Sequence, residues 1–292
     1  DRLAFIVSNH LIRDSLYKTV EDDTRITQSY GVGVSHISTD QLGARITLDS
    51  GEDFRARLAI AADSRFSTIR EKMGIKADRL DFKRTMIVCR VGHQVEHHNK
   101  AYEWFQDEHT LAMLPLAGQN ASAVLTIPSE RAKAYMGMDK ESYCARISEL
   151  FQHRYGPLTM AGERYAYPLV AMYAERFYAP SFILAGDAAV GMHPVTAHGF
   201  NFGLRGVESL SRLVEDALRD GADWGDEKLL RRYHRELRFA TRPLYLATNM
   251  VATLYTKTDP MALLLRRTLL GAGNRIPFAR RLLAEKLIDR AA

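Results

Sequence analysis

The sequence is poor in cysteine. Cys89 and Cys144 are the only two in 292 residues, and neither belongs to a Cys-x-x-Cys or Cys/His cluster. A disulfide framework and a zinc site are therefore not expected, and free thiols in a reducing cytoplasm are. No apolar run reaches the roughly 18 residues of a spanning helix, and no charged, apolar and small signal pattern opens the chain. There is no internal repeat and no low-complexity tract. An initiator Met is also missing. Asp1 leads straight into the apolar Leu3-Ala4-Phe5-Ile6-Val7, and the expectation is a fragment without its original N-terminus.

What remains has the balance of a globular protein with a sizeable core: 46% hydrophobic and 26% charged residues. The length allows one large or two ordinary domains. The net charge of +5 suits nucleic acid, an anionic membrane surface or an anionic cofactor equally, and does not choose among them.

Hydrophobic periodicity sorts the chain into helices at both ends and strands between. Leu11, Ile12, Leu16 and Val20 form a helical stripe over residues 11–20. Residues 32–62 alternate as short strands, closing on the run Leu58-Ala59-Ile60-Ala61, read as a buried strand. More strands are predicted at Thr85 to Val91, Leu111 to Pro115 and Ser122 to Ile127, then a helix over about 129–155 and a buried strand at Phe182-Ile183-Leu184-Ala185. A helix from Asn201 to about Arg219 would line one side with Val207, Leu210, Leu213, Val214 and Leu218, and Gly221 occupies the C-cap position. Residues 226–292 read as helices rich in Arg and Leu. The fold class is mixed α/β: a Rossmann-like domain with an inserted β-sheet domain and a C-terminal helical region.

Chemistry concentrates in Ala185-Gly186-Asp187-Ala188-Ala189, followed by His193-Pro194 and Gly199-Phe200-Asn201-Phe202-Gly203. A carboxylate at the end of a buried strand can accept hydrogen bonds from ribose or ribityl hydroxyls. Gly199 permits close approach of backbone to a ligand. The N-terminus of the helix that follows carries about half a positive charge and favours an anion. A reduced flavin, anionic at N1 and C2=O, meets all three conditions.

The string resembles the second FAD fingerprint of class A flavoprotein monooxygenases, Gly-Asp-Ala-Ala-His, then Pro, then Gly-x-Gly-x-Asn-x-Gly. Ala62-Asp63-Ser64-Arg65-Phe66-Ser67-Thr68-Ile69-Arg70 is similar to the family's Asp-Gly-x-x-Ser-x-x-Arg, and Arg13 with Leu16 to its early Arg-x-x-Leu helix. Within that family the likeness is to ubiquinone-biosynthesis hydroxylases, on His97 to Phe105, on Leu111 to Leu116 ending in Leu-Pro-Leu, and on the His193-Pro194 loop. Five positions depart from the pattern. Ser64 stands for Gly, Val190 for His, Ala197-His198 for Gly-Gln, and Gly206 for Asp. The family's Gly-x-Gly-x-x-Gly is not found. Gly31-Val32-Gly33 has His36 at the last position and precedes a strand, so a further βαβ unit of about 100 residues is expected ahead of Asp1.

The resemblance implies an FAD-binding domain over 1–76 and 176–222, a substrate-binding β-sheet domain over 77–175 and a helical region over 223–292. It implies FAD as cofactor, held by Arg13, Asp63, Arg70, Gly186, Asp187, Pro194, Gly199, Phe200 and Asn201. His193, Pro194 and His198 would shape the edge of the flavin, and no metal is called for. The implied reaction hydroxylates the aromatic ring of a prenylated ubiquinone precursor with O2 and NAD(P)H. The implied setting is cytoplasmic, without nucleic acid, as a homo-oligomer or in a ubiquinone-biosynthesis complex. Peripheral contact with the inner membrane is assigned to the Leu- and Arg-rich stretch from Met261 to Lys286, in which Arg266, Arg267, Arg280 and Arg281 would meet anionic headgroups. Alternatives are a prenyl-lipid reductase, a flavin halogenase or an inactive fragment unable to hold FAD alone. Halogenases fit less well, because Trp104 and Trp224 stand apart and no Trp-x-Trp-x-Ile-Pro motif is present.

Overall fold

The computed structural model describes residues 5–106, 108–194 and 198–256. The Leu- and Arg-rich stretch from Met261 lies outside them. In chain order the elements are α1 (Asn9–Glu21), β1 (Val34–Thr39), β2 (Ala44–Leu48), β3 (Asp53–Ala56), β4 (Ala59–Ala61), α2 (Thr68–Lys72) and β5 (Ala77–Gly92). There follow β6 (Tyr102–Phe105), β7 (Thr110–Pro115), β8 (Asn120–Pro128), α3 (Ser129–Gly137), α4 (Lys140–Leu150) and β9 (Thr159–Met160). The last are β10 (Tyr165–Ala174), β11 (Tyr178–Ala179), β12 (Phe182–Leu184), β13 (Val190–Gly191), α5 (Gly199–Arg219) and α6 (Glu227–Thr256).

Contacts divide the described residues into two units, one within 5–27, 83–169 and 255–256, the other within 28–82 and 170–254. The divisions fall at 82/83 and 169/170, inside β5 and β10. The segment 223–254 packs within the second unit.

The first unit holds an antiparallel sheet in the order β6-β7-β8-β5, with β9 on β5. Alternation dictates its inner face: Ile87, Cys89 and Val91 of β5 and Ala121, Ala123, Leu125 and Ile127 of β8 are all buried. In register, Cys89 pairs with Ala123, which also faces Met113 on β7. Helix α4 closes this face with Tyr143, Cys144, Ile147 and Leu150. The single helix expected over 129–155 is two. The first ends at Gly137 with Met138 as its C-cap, and Asp139 caps the second, its carboxylate accepting from Ser142 N at 2.7 Å.

The second unit contains the meander β1-β2-β3 and the sheet β11-β12-β4. In the latter β12 runs parallel to β4, with Phe182 beside Ala59, Ile183 beside Ile60 and Leu184 beside Ala61. Phe182, Ile183 and Leu184 are completely buried, each contributing about 1.5–3 kcal/mol. Ile60 departs from the buried-strand expectation and is 52% exposed, because β4 is the edge of this sheet among the described residues. Helix α5 starts two residues before the predicted Asn201 and buries Phe202, Gly206, Leu210 and Leu213. Val207 and Leu218 are exposed instead, since at 100° per residue they fall outside that stripe. Helix α6 buries Leu230, Tyr233, Leu237, Thr241 and Tyr245. Thr241 donates to Leu237 O at 2.7 Å, so the Tyr173 hydroxyl, 2.9 Å away, is the donor to Thr241 Oγ1.

Candidate functional site

The two parallel strands β12 and β4 end where the two fingerprints begin. The buried β12 fixes its own C-terminal end, and the chain leaves it at Gly186 with φ +55°, a left-handed conformation that glycine adopts without strain. A 3-10 turn, Gly186–Ala188, then presents Asp187. From β4 the chain passes Asp63, exposed in the following loop, and enters α2 at Ser67. Ser67 Oγ accepts from Arg70 N at 2.9 Å and caps that helix.

Arg70 is 1% exposed. Its Nη1 donates to Arg65 O at 3.2 Å and to Ala188 O at 3.1 Å, which fastens the loop of the first fingerprint to the turn of the second. Its Nε and Nη2 have no partner among the described residues. Burial, then the neighbouring charge of Arg79, lowers its pKa. Through Nη1, Arg70 serves as the frame on which Asp187 is mounted.

Asp187 is held by Arg65. Both Nε and Nη2 of Arg65 donate to Oδ2 of Asp187, at 3.1 and 2.7 Å, while its Nη1 donates to Val170 O at 3.1 Å. This charge-assisted fork engages one carboxylate oxygen. Oδ1 is left to accept from elsewhere. No sequence signal announces the pair, since the partners are 122 positions apart.

His193 follows β13, with its ring edge-on to Phe82 at 4.6 Å between centroids. Burial and, second, the Arg65 charge push its pKa down to about 4, so at neutral pH the imidazole is uncharged. Pro194 beside it is exposed, and Ala197 lies outside the described residues. His198, 8% exposed, is the N-cap residue of α5, and its carbonyl accepts from Phe202 N at 3.0 Å. Gly199 opens the helix, and a Cβ built there would meet nothing within 4 Å. Phe200 is 54% exposed and Asn201 is exposed beside it. A Cβ at Gly203 would lie 3.7 Å from Gly186 Cα, so α5 runs directly past the Gly-Asp turn.

One unit therefore assembles Asp63, Arg65, Arg70, Gly186, Asp187, His193, His198 and the first turn of α5. Arg13 is not among them; it is exposed on α1, which buries no residue and belongs to the other unit. Arg65, Ser67 and Phe82 are the participants the sequence reading missed. The assembly offers an open carboxylate oxygen, free space at a helix start and the unpaired N–H groups of that start. These fit the ribityl and ring end of FAD. Gly31-Val32-Gly33 precedes β1 and opens no helix, so it is no cradle for the pyrophosphate.

Fold and site together define a flavin-binding α/β protein. The fold matches the crystal structure of p-nitrophenol 4-monooxygenase from Pseudomonas putida with a TM-score of 0.75 at 17% identity, over 98% of this chain and 74% of that one. The family model described as FAD binding domain matches residues 15–244, and the chain belongs to that family. It is 38% identical to the ubiquinone hydroxylase UbiM of Neisseria meningitidis, over 98% of this chain and 62% of that protein. It is 32% identical to the ubiquinone hydroxylase UbiL of Rhodospirillum rubrum, over 96% of this chain and 65% of that one. The chain thus spans a little over three fifths of the length of these curated relatives.

Proposed function

We propose that the protein hydroxylates the aromatic ring of a prenylated ubiquinone precursor, with FAD as cofactor and O2 and NAD(P)H as co-substrates. One observation carries this reading: near full-length likeness of this chain to two ubiquinone hydroxylases, with the family's second fingerprint folded into an open carboxylate beside a helix start. Bound FAD would supply hydride acceptance and the activation of O2. The residues of this chain do the rest. Asp187 Oδ1 accepts from a ribityl hydroxyl. The N–H groups at Gly199, Phe200 and Asn201 favour negative charge on the reduced ring. His193, uncharged and packed on Phe82, shapes an edge from which water is kept away.

The test uses the purified protein with FAD, NADPH, a prenylated phenol and 18O2. A single 18O atom in the product ring, read by mass spectrometry, is the expected result. NADPH consumed without label in the ring would overturn the hydroxylase reading.

No helix among the described residues is long and apolar enough to cross a membrane. Peripheral contact belongs to the same reading, since a prenyl tail partitions into the bilayer. Within α6, Phe239 is 86% and Met250 67% exposed, on the helix that also carries Arg235, Arg238 and Arg242. Apolar side chains beside arginine suit an anionic bilayer surface. Flotation with anionic vesicles at low salt should recover the protein, and Phe239→Glu should abolish the recovery; equal recovery of both removes α6 from the contact.

A further inference from the structure

Arg65 occupies a position to which the flavin fingerprint assigns no role, yet every nitrogen of its guanidinium is engaged. Nε and Nη2 converge on Oδ2 of Asp187, and Nη1 reaches Val170 O. The side chain is laid across β13 at Gly191, where a Cβ would stand 2.8 Å from Arg65 Cβ and 3.6 Å from its Nε. No other residue type fits that place on β13 without displacing the arginine. The backbone of Arg65 is held in turn, its carbonyl accepting from the buried Arg70. A chain of contacts thus runs from Arg70 through Arg65 to Asp187.

We propose that Arg65 is a positioning residue for the cofactor: it binds Oδ2 of Asp187 alone, turns Oδ1 toward the cofactor hydroxyl, and sets a fixed positive charge beside His193. This rests on the flavin reading above. A carboxylate on a free side chain would sample several rotamers and lose freedom on binding. The planar fork removes that freedom beforehand, and lysine, a compact point charge, cannot reproduce it. The same guanidinium contributes to holding His193 uncharged, after burial itself.

Two measurements test it. In the protein without added cofactor, the His193 titration midpoint is read by NMR. Arg65→Met should raise it, and Arg65→Lys, which keeps the charge, should leave it near the wild-type value. FAD affinity is then measured by titration for Arg65→Met, Asp187→Asn and the double variant. Each single change should weaken binding, by about tenfold for one charge-assisted bond, and the double variant should bind no more weakly than the weaker single one. Gly191→Ala should behave as Arg65→Met, with the arginine itself intact. Equal FAD affinity of wild type and Arg65→Met, or additive losses in the double variant, overturns the positioning role. A wild-type protein that takes up no FAD at all fails the flavin reading instead. In that case the His193 midpoint decides the electrostatic part alone, and an unchanged value in Arg65→Met overturns it.

Discussion

Replacing Tyr233 by Phe removes one oxygen atom from the second unit and leaves the ring in place. Tyr233 is completely buried in α6, and its hydroxyl donates to Leu184 O at 3.0 Å, two residues before Gly186. Without it, that carbonyl is stranded at the end of β12. A buried acceptor left unsatisfied costs about 1–3 kcal/mol. At about 2–4 °C per kcal/mol for a protein of this size, the melting temperature should fall by roughly 2–12 °C. The same edit at Tyr155 provides the control. Its hydroxyl is buried too, but has no partner among the described residues, and its ring stacks on His93 at 4.7 Å. Tyr155→Phe discards an unsatisfied polar atom and should leave the melting temperature unchanged or higher. Circular dichroism melts of the three proteins give the answer. A Tyr233→Phe melt within 1 °C or so of wild type, inside the spread expected of a neutral surface change, would refute the reasoning, as would equal losses in both variants.

Three further outcomes are expected. His193 should titrate far below the ordinary 6.5, near the value of about 4 that burial and Arg65 impose. The unfolded chain then takes up a proton there between about pH 6.5 and 4 while the folded one does not, so stability should fall with pH across that window; a histidine midpoint at 6.5 in NMR would contradict it. Asp187→Ala should weaken FAD binding by about ten- to a hundredfold, and unchanged affinity in a fluorescence titration would make Asp187 a structural turn only. Gly206→Asp should destabilise by about 2–4 kcal/mol. Its Cβ would lie 3.4 Å from Tyr233 Oη and 3.6 Å from Leu237, pressing a carboxylate into a buried contact. Gly206→Ala, at the same distances but apolar, should be neutral or gain up to about 1 kcal/mol of helix propensity. Urea midpoints of the two variants that coincide would count against this.

Much of the fold was legible because its signals are local. The alternation at Ile87, Cys89 and Val91 places β5, and Gly221, with φ +64° just beyond α5, marks the end of that helix. The start of α5 was harder, because Gly199 and Phe200 carry no buried stripe. The break at Asp139 had a signal, an N-cap residue after Gly137 and Met138, which the apolar periodicity on either side obscured. The Gly186-Asp187 turn could be read from sequence, since a buried strand and a glycine define it. Its mounting could not. Arg65, Arg70 and Tyr233 meet it from 122, 118 and 49 positions away, and only the parallel pairing of β12 with β4 brings the first two near. That the Arg70 side chain is buried and reaches Ala188 O is likewise absent from the one-dimensional pattern.

The two cysteines give this protein a built-in clock. Both are buried in the core of the first unit, and burial raises the Cys89 thiol to about 11, so neither presents a thiolate to a reagent while that core is closed. The second unit has no cysteine. The rate at which a thiol dye marks the native protein therefore counts openings of the α4-covered sheet and is silent toward the second unit. A ligand that slows labelling reaches the first unit thermodynamically, wherever it sits; one that binds tightly and leaves labelling untouched shows that the two halves open separately.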